Sequence, residues 1–124
     1  MANNPKKILL VEDEESLRTV MVAALTQRGF LVEVAVDGQE ALIAIRAQAA
    51  DLILLDIVLP KMSGLEILET LTPAEKACAP IIIFSVSTAP ITADKLKALG
   101  VAGSIVKSDM TPEDIILEIN KHLS

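Results

Sequence analysis

The sequence predicts an α/β fold, a single parallel β-sheet covered by helices on both faces. Three observations carry this prediction. Short apolar runs recur along the chain, longer amphipathic stretches separate them in strict alternation, and three of the runs are apolar without interruption, as strands buried on both faces must be. The 124 residues suffice for one domain, taken as residues 1–124. A composition of 52% hydrophobic and 23% charged residues supplies a core and excludes a disordered chain.

The predicted strands are Lys7 to Val11, Leu31 to Val36, Leu52 to Asp56, Ile81 to Ser85 and Ser104 to Lys107. Glu33 interrupts the second run, which marks it as an edge or near-edge strand. Between the first two runs, Leu17, Val20, Met21, Ala24 and Leu25 repeat at helical spacing, and Arg28-Gly29 supplies the cation and glycine of a helix end. A second helix starts at Asp37, a capping residue with Glu40 three positions on, and Ala41, Leu42, Ile45 and Ala49 share one of its faces. Gly64 to Leu71 forms a short third helix, and Pro90 to Leu99, closed by Gly100, a fourth. Thr111 caps a fifth, with Pro112 in its first turn.

Charge narrows the function. Eleven Lys and Arg against seventeen Asp and Glu give a net charge of -6, which repels nucleic-acid phosphates and anionic lipid headgroups. Phe30 and Phe84 are the only aromatic residues, too few for base stacking. No nucleic-acid or membrane partner is therefore expected. The single cysteine, Cys78, fits a reducing compartment, and no signal peptide or spanning segment is evident, so a soluble cytoplasmic protein is expected. Cys78 and the four methionines are expected to be packing or terminal residues rather than ligands, Lys61 and Lys76 to be solvated, and His122 to serve as a helix-end cation.

In a parallel sheet of this kind, ligands bind beyond the carboxyl ends of the strands. That edge would collect Glu12 and Asp13 after the first strand, Asp56 after the third, Ser85 after the fourth and Lys107 after the fifth. Singly, each has an ordinary reading as a cap, a turn former or a solvated side chain. Together, three carboxylates facing one lysine call for a cation, and oxygen ligands in a sparse set suit Mg²⁺. Asp56, where an apolar strand becomes a loop, is placed to act as a nucleophile on a phosphoryl group, forming an acyl phosphate. Magnesium and an ammonium would offset charge on the transferring group, and the Ser85 hydroxyl would donate to one of its oxygens.

The segments Ile8 to Glu14, Leu52 to Gly64, Pro80 to Ser85 and Ile105 to Lys107 resemble the signature blocks of receiver domains from two-component response regulators. The resemblance covers essentially the whole chain. It implies a flavodoxin-like (βα)5 three-layer sandwich with a five-stranded parallel sheet in the order 2-1-3-4-5. It implies that Asp56 accepts a phosphoryl group from a sensor histidine kinase or histidine phosphotransfer protein, becoming 4-aspartylphosphate. Glu12, Asp13, Asp56 and the backbone carbonyl of Val58 would hold Mg²⁺, Lys107 would pair with the phosphoryl oxygens, and Ser85 would swing toward them. The output surface would be the face of the fourth helix, fifth strand and fifth helix, docking a downstream protein or a second copy. Such a protein is a signalling switch that assists its own phosphorylation and dephosphorylation, rather than an enzyme.

Three positions depart from the family pattern. Ser104 stands where an aromatic residue is common, Ser108 replaces the usual proline after the lysine, and Val86 stands where alanine or glycine commonly follows the hydroxyl residue. A cis bond before Ser108 would cost about 2.5–4 kcal/mol. These departures motivate an alternative, a phosphorylation-independent receiver acting as an interaction module. A phosphohydrolase is disfavoured, because Val58 stands where a second aspartate would serve as acid and base. With the chain ending at Ser124, near the end of the fifth helix, a stand-alone module is expected.

Overall fold

In the computed structural model, which describes residues 5–85, 93–107 and 111–123, five strands form one parallel sheet in the order β2-β1-β3-β4-β5. The strands are β1 (Lys7–Val11), β2 (Leu31–Ala35), β3 (Leu52–Leu55), β4 (Ile81–Ser85) and β5 (Gly103–Val106). The helices are α1 (Glu15–Gln27), α2 (Gly38–Arg46), α3 (Gly64–Thr70), α4 (Pro73–Lys76), α5 (Ala93–Leu99) and α6 (Pro112–Leu123). The expected strand order is the one observed, and β2, with its internal Glu33, lies at an edge.

Strand pleating divides the core in two. Alternate residues Leu9, Val11, Ile53, Leu55, Ile81 and Ile83 face one layer, with Ala41 and Ile45 of α2 and Ile67 and Leu68 of α3. Ile8, Leu10, Leu52, Leu54, Ile82 and Phe84 face the other, with Met21 and Leu25 of α1 and Ile115, Ile116 and Ile119 of α6. Both faces of β1 and β3 are covered, which accounts for their unbroken apolar runs.

Several expectations are corrected. The strands end a residue earlier than their runs at β2 and β3, and β5 is shifted one residue toward the amino terminus. A single-turn helix, α4, follows α3. Thr72 caps it and Glu75 returns a bond to the Thr72 amide, so the capping box in Thr72-Pro-Ala-Glu75 is present in the sequence although its apolar periodicity is too short to register. Cys78 is exposed, its thiol 3.4 Å from the Ala74 carbonyl, because it follows this turn on the surface. Lys76 is not simply solvated. Its ammonium donates to the Leu99 carbonyl at 2.8 Å, closing the carboxyl end of α5. The expected start of the fourth helix at Pro90, together with Val86 and Ser108, lies outside the described residues. Among the described residues, no helix is long and apolar enough to cross a membrane.

Candidate active site

Parallel register assembles the site. Val11 pairs with Leu55, Leu55 with Ile83, and Ser85 with Val106, so the residues that follow β1, β3 and β5 emerge at one edge of the sheet. Those residues are Glu12, Asp56 and Lys107. The Glu12 amide donates to the Ala35 carbonyl at 3.0 Å and the Asp56 amide to the Val11 carbonyl at 3.1 Å, so both backbones continue the ladder although their side chains belong to the site.

The Lys107 ammonium joins the two buried carboxylates. Its Nζ lies 2.5 Å from Glu12 Oε1 and 3.0 Å from Asp56 Oδ2. The same nitrogen stands 5.0 Å from the centroid of the Phe84 ring, whose π-face further stabilises the cation. The remaining oxygens have backbone partners. Glu12 Oε2 accepts from the Glu14 amide at 3.0 Å, and Asp56 Oδ1 from the Val58 amide at 3.1 Å. Gly64 closes the loop after Asp56 from behind, since a Cβ there would lie 2.5 Å from the Asp56 carbonyl oxygen.

Asp13 completes an acidic cluster. Carboxylate oxygens of Glu12, Asp13 and Asp56 all lie within 4.8 Å of one another, Glu12 and Asp56 buried and Asp13 exposed. Arg18 of α1 donates to the Glu12 and Asp13 carbonyls at 3.1 and 3.2 Å, pinning the loop that bears both acids. Sequence reasoning missed Arg18 and Phe84 as supports, because neither carries a signal beyond an ordinary helical cation and an ordinary core residue.

The electrostatics follow from burial. Desolvation raises the Glu12 pKa above its ordinary value, and the nearby Asp56 charge adds to this, against bonds from Lys107 and the Glu14 amide. Burial alone pulls the Lys107 pKa down, but its hydrogen bonds to Glu12 and Asp56 prevail and the ammonium is held above the ordinary lysine value. One ammonium cannot neutralise three carboxylates. An oxygen-only, partly open cluster with this residual negative charge fits a hard divalent cation such as Mg²⁺.

The structure thus brings together Glu12, Asp13, Asp56 and Lys107 as expected. Val58 lies beside them through its amide, the residue itself 71% exposed. Ser85 ends β4 opposite Val106, and its side chain lies outside the described residues. Residues 8–120 match the family model of the response regulator receiver domain. The chain belongs to this family. Receiver domains are phosphorylated on an aspartate, act as signalling switches, interact with histidine kinases and downstream effectors, and bind Mg²⁺ at an acidic site.

Similar proteins agree. The receiver is 41% identical over 80 residues to the alkaline phosphatase synthesis transcriptional regulatory protein PhoP of Bacillus subtilis, a match covering 64% of this chain and 33% of PhoP. The chain spans less than half the length of the curated relatives it matches. Among solved structures, the chemotaxis response regulator CheY4 of Vibrio cholerae superimposes with a TM-score of 0.85 at 30% identity, covering 97% of this chain and all 100% of that one. The receiver domain of the sensor histidine kinase PA1611 of Pseudomonas aeruginosa, which has a magnesium ion coordinated in its active site cleft, shares the fold. Its TM-score is 0.79 at 23% identity, over 97% of this receiver and 98% of that chain.

Proposed function

We propose that Asp56 is the phosphoacceptor of this receiver, and that the single observation carrying this is Lys107 Nζ set between the buried carboxylates of Glu12 and Asp56. Hydrogen bonds from Val58 and Lys107, one to each oxygen, fix the carboxylate plane of Asp56. An Asp56 oxygen attacks the phosphorus of a phosphohistidine on a sensor kinase or phosphotransfer protein. The new O–P bond forms as the N–P bond breaks, and the imidazole leaves with the electron pair. Lys107 then exchanges its bond to Asp56 for bonds to the phosphoryl oxygens, and Ser85 donates to another of them.

Glu12, Asp13, Asp56 and the Val58 carbonyl would hold Mg²⁺. When bound, the ion supplies positive charge beside the transferring oxygens. The donor chemistry of the acidic cluster supports this, as does the magnesium in PA1611. Output passes through the face formed by α5, β5 and α6, where Leu117 is 61% exposed and offers an apolar contact to a downstream protein or a second copy. The receiver acts in the cytoplasm, where kinase phosphoryl groups are made, and assists its own phosphorylation without being an enzyme in its own right.

Incubation with acetyl phosphate or phosphoramidate and Mg²⁺ tests the proposal. Intact mass should rise by one phosphoryl group in the wild type and not in Asp56→Asn, and the acid-stable mass of Asp56→Asn should be unchanged by either donor. No adduct on the wild type would sink the reading. Partner binding that is the same for Asp56→Asn and wild type would favour the phosphorylation-independent module instead.

A further inference from the structure

The loop between Asp56 and α3 is tied to the start of α2 by contacts that the proposed chemistry does not use. The Pro60 carbonyl accepts from the Gly38 amide at 3.2 Å and from the Met62 amide at 2.8 Å. A Cβ on Gly38 would lie 1.9 Å from the Met62 carbonyl oxygen, so the loop rests directly on bare backbone at the first residue of α2. Between Pro60 and Met62, Lys61 adopts φ +68°, a left-handed conformation that lysine seldom takes. The ammonium of Lys61 stands 3.3 Å from Asp37 Oδ2.

Asp37 is buried, and its two oxygens have different tasks. Oδ1 accepts from the Glu40 amide at 2.8 Å and caps α2, while Oδ2 meets Lys61. The cap ranks with many others, but here it is shared with the loop that carries Val58. Only Leu59 and Pro60 separate Val58 from Lys61, and Val58 in turn holds Asp56 Oδ1. An uncommon backbone conformation held by a buried carboxylate and a glycine-only contact is the pattern of a segment whose position matters.

Resting on the reading of Asp56 as acceptor and the Val58 carbonyl as a metal ligand, we propose that Asp37 and Lys61 are positioning residues, a clamp that holds the acceptor loop where Val58 serves both Asp56 and Mg²⁺. Neither touches the reacting atoms. The clamp sets how well the Mg²⁺ ligands are arranged before the ion arrives, so its loss weakens binding without removing a ligand.

The test follows the Val58 amide resonance by NMR as MgCl₂ is added to the wild type, Lys61→Gly, Lys61→Arg, Asp37→Asn and the double variant Asp37→Asn/Lys61→Gly. Glycine accepts the left-handed backbone without strain and asparagine keeps the helix cap, so both variants retain the fold. Lys61→Gly should raise the half-saturating Mg²⁺ concentration about threefold, the scale of a partly exposed ion pair. Lys61→Arg should restore the wild-type value, and the double variant should shift no further than either single one. A wild-type Val58 amide that ignores Mg²⁺ overturns both this inference and the site reading beneath it. A responding wild type with Lys61→Gly titrating at the same concentration overturns the clamp alone, as does a double variant whose shifts multiply. A purely structural role would lower the melting temperature of Lys61→Gly and leave its Mg²⁺ titration in place.

Discussion

Lys107 and Lys61 both pair with aspartate beyond the carboxyl ends of the strands, but their surroundings differ. The Lys107 side chain is 11% exposed and bonds two carboxylates that are themselves buried, whereas that of Lys61 is 58% exposed and meets one. Water screens the second pair and is largely excluded from the first. The same chemical contact therefore holds a reactive centre together in one place and trims a loop position in the other.

Removing each lysine sharpens this contrast. Lys107→Met leaves Glu12 and Asp56 buried side by side without their cation, and should lower unfolding free energy by about 3 kcal/mol in urea, followed by circular dichroism. Millimolar Mg²⁺ should recover part of the loss, because it restores positive charge to the same cluster. A variant as stable as the wild type without Mg²⁺ would show that the buried pair contributes little. Gly38→Ala comes next. Its methyl would overlap the Met62 carbonyl, and a cost of about 2 kcal/mol is expected from the same urea experiment, with the loss concentrated in the loop that rests on α2.

Smaller effects belong to the exposed pair. Lys61→Met should change global stability by less than about 1 kcal/mol, and a larger loss would mean that the pair is far better shielded than its exposure implies. The pH dependence follows from Asp37, whose carboxyl is held below its ordinary 3.8 by the Glu40 amide and, less strongly, by Lys61. A carboxyl lowered in the folded state contributes stability fully above pH 3.8 and loses it as pH falls through the lower folded value. Asp37→Asn should therefore flatten the acid limb of the stability curve below pH 3.8. At the other extreme the raised Lys107 contributes fully below pH 10.5 and loses that contribution as pH rises through its folded value, so alkaline destabilisation should be blunted in Lys107→Met.

Much of the architecture was readable without coordinates. The runs Ile8 to Val11, Leu52 to Leu55 and Ile81 to Phe84 are strands, Asp37 and Thr111 cap the helices they were expected to cap, and Glu33 marks an edge. The candidate site was readable as a set, since Glu12, Asp56 and Lys107 each follow a strand and strand ends share an edge. Lys61 is solvated as expected but also pairs with an acid, and Lys76 is less solvated than expected. Their partners, Asp37 and the Leu99 carbonyl, lie 24 and 23 residues away, and nothing local to either lysine announces them.

What the sequence determined by itself is whatever acts over one turn or one pleat: apolar period, cap residues, the glycine after a helix, and hence the order and kind of elements. Only the tertiary structure decided which charges meet. Lys107 and Glu12 are 95 residues apart and share a hydrogen bond because the register of β1, β3, β4 and β5 sets their strand ends side by side. Burial there, a property of the packed layers and not of any one residue, raises the proton affinity of Glu12, while the hydrogen bonds that Lys107 makes across the strand ends raise its own.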